Sequence, residues 1–261
     1  MIKSLNTAAT GMKAQQTNMD VIANNIANTS TTGFKKSRAE FEDLMYHTEK
    51  EPGAISGANS VSPTGVQVGL GVKTSAVHKD FEQGSTRITK NPFDLEIQGS
   101  GFFPLQLPNG QIGFTRDGSF KKGPDGRLSD KNGNILQPEI TVPPDAKGIE
   151  VSATGQVSII TGINTNPQQI GQINLVNFVN PAGLRSMGKN VFLPSNGSGL
   201  PQQGNPGEAG LGYIAQGQLE ASNVNVVDEM VNMISAQRAY ETNSKVIQAS
   251  DQMLQQINSM R

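Results

Sequence analysis

Histidine and carboxylate side chains are the first residues in this sequence whose chemistry could support catalysis. The two histidines, His47 and His78, lie in unrelated contexts, and neither has a serine elbow or a second histidine at metal-binding spacing nearby. We therefore expect both to be surface residues. Asp94 and Glu96 would share one face of a strand, as an acid–base pair requires. The alternative, a solvated strand face opposite two apolar neighbours, is the favoured interpretation.

Two further motifs have the outline of ligand-binding loops. Gly99-Ser100-Gly101 begins like a phosphate-binding loop, but aromatic residues follow it where a third glycine and a helix would be needed. The run 130–134 begins like a calcium loop, but its glycine is at the fourth position, and Thr141 stands where a bidentate glutamate belongs. We interpret the first as a turn or bulge between strands and the second as a hairpin turn. The sequence therefore predicts no catalytic site, no metal site and no cofactor.

Composition argues against several classes of protein. The 261 residues include no cysteine, which excludes disulfides, thiolate metal ligands and cysteine nucleophiles. The formal charge is −1 and no basic run is longer than the Lys35-Lys36 pair, so no cationic face for nucleic acid is expected. The apolar runs are too short to span a membrane, and we expect no cleaved secretory signal. With 29 glycines and 14 prolines, the composition favours a turn-rich β domain.

Both ends of the sequence have a helical pattern. Residues 1–30 contain one glycine and no proline, residues 218–261 contain neither, and each end has an apolar residue at every seventh position. The pattern predicts an N-terminal helix of about 25 residues and a C-terminal helix from Val226 to Met260, with Asn225 as its N-cap. The two apolar columns form a predicted polymerisation seam, which consists of Leu5, Met12, Met19, Ile26, Val226, Met233, Tyr240, Ile247 and Leu254.

Two interpretations of these helices remain open. Either both pack on an ordinary core, or they pair with each other as a coiled coil. The column beside the C-terminal seam is interrupted by Gln237, Ser244 and Asp251, so the helix pair would bury little apolar surface by itself. We therefore expect partner helices, most naturally from other copies of the chain.

The middle of the chain has the pattern of an antiparallel β domain. Apolar and polar residues alternate at 85–89, 94–97, 151–160 and 173–178, and glycine-containing turn signals separate these segments. Their spacing predicts a sandwich or a barrel-like domain. The predicted fold class is α+β, with terminal helices that pair as a coiled coil and a central antiparallel all-β domain. The expected boundaries are 1–30 and 222–261 for the discontinuous helical polymerisation domain, 31–71 for an extended linker or loop, and 72–221 for the β domain.

The terminal segments resemble the signatures of bacterial flagellar rod and hook proteins. One signature runs from Ala23 to Lys35 and the other from Leu219 to Val231, continuing through 237–241 and 251–254. Two middle stretches, 92–103 and 114–120, extend the resemblance over nearly the whole chain. The motif residues that carry it are Asn24, Asn25, Asn28, Gly33, Phe34, Asn223 and Asn225.

Within that family the chain is most similar to the distal-rod members. The stretch Phe41–Tyr46 and the segment that follows it to Gly71 favour them over proximal-rod or hook subunits, which remain the alternatives within the family. The resemblance implies a structural subunit that polymerises into a hollow drive shaft, transmits torque from motor to hook and passes exported subunits. An exported β-domain enzyme or adhesin is the alternative from a different class.

The resemblance also implies where the chain works and with what. Its partners would be copies of itself, proximal-rod and hook subunits, and the surrounding periplasmic and outer-membrane ring proteins, without a nucleic acid or a small-molecule substrate. Its location would be the basal body of the flagellum, spanning the periplasm. It would arrive there by type III export without a cleaved signal peptide.

Overall fold

The computed structural model describes residues 2–53, 55–57, 60–61, 64–161, 167–208 and 210–259, and the chain divides into two compact units. The helical unit comprises residues 1–26, 37–78 and 226–261, and the β body comprises residues 27–36 and 79–225. The helical unit contains α1 (Ile2–Ala27), β1 (Ser37–Asp43), β2 (Tyr46–Lys50), β3 (Ile55–Gly57), β4 (Ser60–Val61), β5 (Val66–Gly69), β6 (Val72–Lys79, which ends one residue beyond it) and α2 (Val226–Ser259).

The β body contains most of the strands. In chain order they are β7 (Thr86–Ile88), β8 (Leu95–Gln98), β9 (Phe103–Gln106), β10 (Ile112–Thr115), β11 (Lys121–Lys122), β12 (Leu128–Ser129), β13 (Ile135–Leu136), β14 (Ala146–Val151), β15 (Gln156–Thr161), β16 (Gln168–Gln172), β17 (Leu175–Asn177), β18 (Arg185–Gly188), β19 (Val191–Leu193), β20 (Gln202–Gly204), β21 (Tyr213–Gln216) and β22 (Gln218–Glu220). A short 3₁₀ helix at Pro181–Gly183 precedes β18.

The two terminal helices and the β-rich region between them confirm the predicted α+β class. Segments that are almost free of glycine and proline form helices because their backbone has no local alternative to the helical hydrogen-bond ladder. Asp228 and Glu229 lie in the first turn of α2, where negative charge favours the positive end of the helix dipole. After α1, the backbone at Gly33 has φ of 65°, a conformation that ends a helical path.

Residues 37–78 form a hairpin arm where an extended linker was expected. Strand β1 pairs with β6, β2 pairs with β5, and β3 pairs with β4. Tyr46 lies opposite Gly69, and its ring is 3.3 Å from the position that a Cβ on Gly69 would occupy. Strands β2 and β5 are almost entirely exposed, so neither face needed the apolar alternation that marks a strand in a sequence. Residues 54, 58–59 and 62–63 of the expected linker lie outside the described residues.

The β body is built from several antiparallel sheets. The largest has the strand order β11-β12-β13-β9-β10-β19-β18, and a second has the order β14-β15-β16. Strand β8 pairs with β21, β7 with β22, and β17 with β20. The segment 151–160 was predicted as a single strand, but the chain turns at Ser152–Gly155 and separates β14 from β15. Gly155 has φ of 82°, which permits this reversal.

The core of the β body has two clusters of apolar side chains. One is mainly aliphatic, and six of its members are completely buried: Phe103, Leu105, Leu136, Val157, Ile173 and Leu175. The other is aromatic and contains Phe102, Phe114, Phe178 and Phe192, whose rings meet edge to face with centroids 4.9–6.1 Å apart. Burial of this apolar area supplies the main free energy of folding for the β body.

Candidate assembly site

The carboxylates of Asp94, just before β8, and of Glu96, on β8, are buried, so the expected solvated strand face is wrong. Asp94 is 7% exposed and Glu96 is 0% exposed. Asn91 Nδ2 donates to Asp94 Oδ1 at 2.9 Å, and Thr86 Oγ1 donates to Glu96 Oε1 at 2.8 Å. Strand β8 lies inside the β body with both faces covered, and the polar residues of an alternating strand are then paired instead of hydrated. Both carboxylates therefore act as structural acceptors.

The two histidines lie in the helical unit without the partners that catalysis would need. His47 is exposed on β2, as expected for a surface residue. His78 is half-buried, and its Nδ1 lies 3.5 Å from Glu40 Oε1. Within the described part of the chain, histidine and acidic side chains form no group of three or more that could hold a metal ion. In that same part, neither helix has the length and hydropathy that a membrane crossing requires.

Both candidate ligand loops are turns between strands, which confirms those predictions. Asp130 N donates to Asn134 O at 2.8 Å and closes the hairpin between β12 and β13. Gly99 and Gly101 have φ of 113° and 136° in the connection between β8 and β9. Neither loop opens a helix, which is the element that a phosphate site would use.

Two contacts show that α1 and α2 lie side by side and run in opposite directions. Asn25 Nδ2 donates to Glu229 Oε2 at 3.2 Å, and a Cβ added to Gly11 would lie 2.9 Å from Asn243 Nδ2. The number of residues from Gly11 to Asn25 along α1 equals the number from Asn243 back to Glu229 along α2, as antiparallel helices require. Gly11 therefore leaves space for the Asn243 side chain of α2.

The predicted seam is only half-buried in the single chain. Leu5, Met12, Met19 and Ile26 on α1 and Met233, Ile247 and Leu254 on α2 are half-buried, while Val226 and Tyr240 are 37% and 38% exposed. The fully buried apolar positions on these helices are mainly small: Ala8, Ala14, Ile22 and Ala236. Small side chains at these positions bring the helix axes together, so the larger seam residues lie at the margin of the contact. The role of the seam in polymerisation remains a prediction.

A second apolar stripe on α2 was missed by the sequence analysis. Val227, Met230, Val231 and Ile234 are 68%, 54%, 57% and 48% exposed, at the spacing of one helix face. At about 100° per residue, this stripe lies on the opposite side of α2 from the buried Ala236. The spacing was visible in the sequence, but only the structure shows which apolar face of α2 is turned towards α1.

The motif amide Asn25 and the hydroxyl group of Thr10 tie the hairpin arm to α1. Asn25 Nδ2 donates to Ser37 O at 2.8 Å, and Ser37 N donates to Asn25 Oδ1 at 2.9 Å. Val72 N donates to Thr10 Oγ1 at 3.3 Å, so both outer strands of the arm contact α1. Asn25 is 2% exposed and uses both the donor and the acceptor of its amide, which an aspartate could not reproduce.

A second motif amide, Asn223, joins two segments within the β body. Lys36 N donates to Asn223 Oδ1 at 2.7 Å, and Asn223 Nδ2 donates to Asp80 O at 3.0 Å and to Glu82 O at 3.2 Å. Beside this junction, a Cβ on Gly33 would lie 2.8 Å from the backbone of Arg116 and Asp117. The junction therefore requires both an amide and a glycine at these positions.

The remaining motif residues have different environments. Phe34 is buried, and Lys79 Nζ lies 4.9 Å from the centroid of its ring, while burial lowers the pKa of Lys79 below its ordinary value. Asn28 is half-buried and accepts a hydrogen bond from Thr31 Oγ1 at 3.2 Å. Asn24 and Asn225 are exposed. The motif thus marks the positions where the chain passes between helix and strand.

Comparison with known protein families gives three matches along the chain. Residues 5–35 match "Flagella basal body rod protein", residues 96–159 match "Flagellar hook protein FlgE/F/G D1 domain", and residues 215–260 match "Flagellar basal body rod FlgEFG protein C-terminal". The three matched ranges include both signatures of the sequence and much of the β body.

Curated relatives match over the full length of the chain. It is 47% identical over 260 residues to the flagellar basal-body rod protein FlgG of Buchnera aphidicola subsp. Schizaphis graminum, covering 100% of both chains. It is 46% identical over 261 residues to the flagellar basal-body rod protein FlgG of Caulobacter vibrioides, again covering 100% of both. It is 28% identical over 279 residues to the flagellar hook-basal body complex protein FlhP of Bacillus subtilis, with 100% of both covered.

Proposed function

This chain belongs to the family of flagellar basal-body rod proteins, and on that premise we propose how its two units serve the assembled rod. It is a structural subunit of the flagellar distal rod, it lies in the basal body, and it serves motility. It assembles with copies of itself in the hook-basal body complex. As a member of a structural family, it is not an enzyme.

We propose that α1 and α2 pair as a coiled coil and that this pair supplies the contacts between subunits. The antiparallel contacts Asn25–Glu229 and Gly11–Asn243 support the pairing. The half-buried seam residues would then be covered further when neighbouring helices pack against the pair. Such an arrangement joins many subunits through one repeated surface, as a helical polymer requires.

The observation that carries this proposal is the exposed stripe on α2. Its four apolar side chains face away from α1 and lie together on one helix face, whereas the β body buries two clusters of apolar side chains. A contiguous apolar face of this kind marks an interaction surface in a stable protein. We assign it to contact with the helices of a neighbouring copy, since self-assembly is the established behaviour of the family.

The specific partners of the chain can be proposed from the position of a distal-rod subunit in the basal body. We propose that the polymer is a hollow drive shaft that spans the periplasm, transmits torque from motor to hook and passes exported subunits. Its ends would meet proximal-rod and hook subunits, and its outer surface would meet the periplasmic and outer-membrane ring proteins. We also propose that the chain reaches this place by type III export without a cleaved signal. Co-purification of the ring proteins with the assembled chain would test the ring contacts.

Substitution of Val231 by aspartate tests the assignment of the stripe. Val231→Asp places a charge on a face that assembly would bury, so rods and swimming should be lost while the thermal midpoint of the monomer changes little. Gln237→Asp, at an exposed polar position on the same helix, is the matched control and should assemble normally. Met233→Asp tests the half-buried seam in the same assays and should impair both monomer and rod. Normal rods and normal swimming with Val231→Asp would exclude the stripe as a subunit interface.

A further inference from the structure

Four charged side chains are buried together in the β body. Lys35 Nζ lies 2.6 Å from Glu220 Oε1, and Arg116 Nη1 lies 3.6 Å from Glu220 Oε2. The side chains of Lys35, Glu220 and Arg116 are 0%, 1% and 4% exposed. Glu96 is also completely buried, and both it and Glu220 interact electrostatically with Arg116. Two cations and two carboxylates thus form a neutral group, which we call the charge clamp.

The charge clamp binds the backbone of separate segments. Lys35 Nζ donates to Glu82 O at 2.6 Å, and Gly84 N donates to Glu220 Oε1 at 2.9 Å. Beside them, Gly33 N donates to the backbone oxygen of Glu220 at 2.8 Å. The segments 33–35, 82–84 and the end of β22 are therefore held together by the same few groups.

A third set of bonds anchors the charge clamp to the body itself. Arg116 donates from Nη2 to Gly99 O at 2.7 Å and from Nη1 to Ile97 O at 3.3 Å. Glu96 accepts from Thr86 Oγ1, which lies on β7, the strand that pairs with β22. The guanidinium and this carboxylate consequently connect the three segments to the strands of the main core.

Those three segments are the ones by which the chain enters and leaves the β body. The chain passes between the two units after residues 26, 36, 78 and 225. Lys35 and Gly33 lie in the short stretch between the first two crossings, Glu82 and Gly84 follow the third, and Glu220 precedes the fourth. Each crossing therefore has, within seven residues on the β-body side, a member of the charge clamp or a backbone atom bonded to one of its residues.

Burial of these four charges contributes less to the free energy of folding than apolar side chains in the same space would. Burial lowers the pKa of Lys35 and that of Arg116, and the carboxylate of Glu220 opposes both shifts. Within the described residues, Glu96 Oε2, Arg116 Nε and Glu220 Oε2 have no hydrogen-bond partner. Apolar side chains would fill the same space with a smaller desolvation penalty. The arrangement instead penalises any state in which one of the four charges is buried without the others.

We infer that the charge clamp selects one alignment of the three segments and closes the β body around them. A shifted alignment of residues 33–35 or of β22 would leave a cation or a carboxylate buried without its counter-charge. Only the native alignment makes the group neutral. The entering and leaving segments are thereby held together whether or not the chain is assembled, so the inference does not depend on the proposed role of α2.

A double-mutant cycle on the full chain tests this mutual dependence. Lys35→Met leaves a net negative charge and Glu220→Gln a net positive one, and each should lower the thermal midpoint of the β body by about 10 °C. The double variant leaves Arg116 with Glu96, and the amide oxygen introduced at position 220 still accepts from Gly84 N. We therefore expect the double variant to be more stable than either single variant. Lys36→Met, which breaks the half-exposed pair with Asp80, is the control and should change the midpoint by no more than about 2 °C.

Hydrogen exchange supplies the local readout. In Lys35→Met, amides of β9 and β10 should accelerate only as far as the loss of global stability requires, and amides at 33–36, 82–86 and 218–223 should accelerate by at least about tenfold more than they do. If the single variants do not fold, the double variant must still fold. A double variant that is unfolded, or less stable than both single variants, would overturn the inference. Uniform acceleration of exchange over the whole β body would overturn it too, because the four charges would then contribute only to global stability.

Discussion

The β body and the helical unit place their large apolar residues in different environments. Phe103, Leu105 and Leu136 in the β body are 0% exposed. In the helical unit, Met45 on the hairpin arm is 82% exposed and Val227 on α2 is 68% exposed. The β body also exposes apolar residues, such as Leu200 at 84% and Val179 at 77%, but it buries two large clusters that stabilise it within one chain. The helical unit buries few large apolar side chains and leaves a contiguous apolar stripe on α2 for other molecules to cover.

This difference shows how one chain can be a stable monomer and a polymer subunit at once. A closed core keeps the monomer folded before assembly, and an incompletely covered unit gains free energy only when neighbours arrive. Long helices that bury one face are marginal by themselves, so their order depends on the contacts they find. The comparison predicts different stabilities, different mutational costs and different responses to assembly for the two units.

Amide exchange in the purified monomer should show the largest difference. We expect amides of β9, β10 and β19 to exchange about a thousandfold more slowly than those of α2, because the former open only with the whole body and the latter by local unfolding. Trypsin should cut first at Lys3, Lys13, Arg238 and Lys245, which lie on the helices. On polymerisation these sites should become protected and the helical circular-dichroism signal should rise. Equal protection of both units in the monomer would remove the proposed distinction.

Truncation of a buried residue in the β body and of an exposed stripe residue in the helical unit compares the two units directly. Phe103→Ala removes a completely buried ring and should cost about 4 kcal/mol, or about 10 °C in the thermal midpoint of the monomer. Val231→Ala removes exposed atoms and should change that midpoint by less than about 1 °C, but should weaken assembly. A large loss of monomer stability from Val231→Ala would mean that the stripe is already covered within one chain.

Glycine substitutions separate steric contact from backbone strain within the β body. Gly33 and Gly133 both have positive φ, but a Cβ would meet the backbone of Arg116 and Asp117 only at Gly33. Gly133→Ala should cost about 1 kcal/mol for the strained backbone, and Gly33→Ala should cost about 2 to 3 kcal/mol because the contact adds to the strain. Urea denaturation of both variants measures the difference. Equal costs would show that the junction at Gly33 relaxes freely.

An exposed ion pair on the hairpin arm should give the smallest effect. Lys73 Nζ lies 2.6 Å from Glu42 Oε1, and this hydrogen bond lowers the pKa of Glu42 below its ordinary value. A lowered carboxyl pKa favours the fold above the ordinary pKa, and that contribution is lost as the pH falls through the folded value. Lys73→Met should return the pKa of Glu42 towards its ordinary value in an NMR titration, with little change in the thermal midpoint. An unchanged titration would show that the pair does not form in solution.

The sequence predicts the terminal helices well and the interior of the β body less well. Long stretches without glycine or proline predict helices. The helix α2 begins at Val226, as predicted. The alternation of apolar and polar residues predicts a strand with one buried and one exposed face. The prediction therefore failed at Glu96, whose polar side chain is buried, and at the hairpin arm, whose strand β2 is exposed on both faces.

No local sequence pattern predicts the charge clamp. Lys35 looks like half of an ordinary basic pair, and its partner Glu220 is 185 positions away in the chain. The predicted seam does have a sequence pattern, but periodicity identifies only an apolar column and not the neighbour that covers it. Only the burial of Ala236 and the hydrogen bond from Asn25 to Glu229 show which faces of the helices meet within one chain.

The register of α1 against α2 has a consequence for the direction of growth. In this register Gly11 lies against Asn243 and Asn25 against Glu229, so the end of α1 lies beside the start of α2. That end of the helix pair carries the exposed Val227 and Met230, whereas Met253 and Ile257 are exposed near the opposite end. A building block whose two ends present different residues has a head and a tail. A filament assembled from such blocks is polar, its two tips present different residues, and we expect them to elongate at different rates.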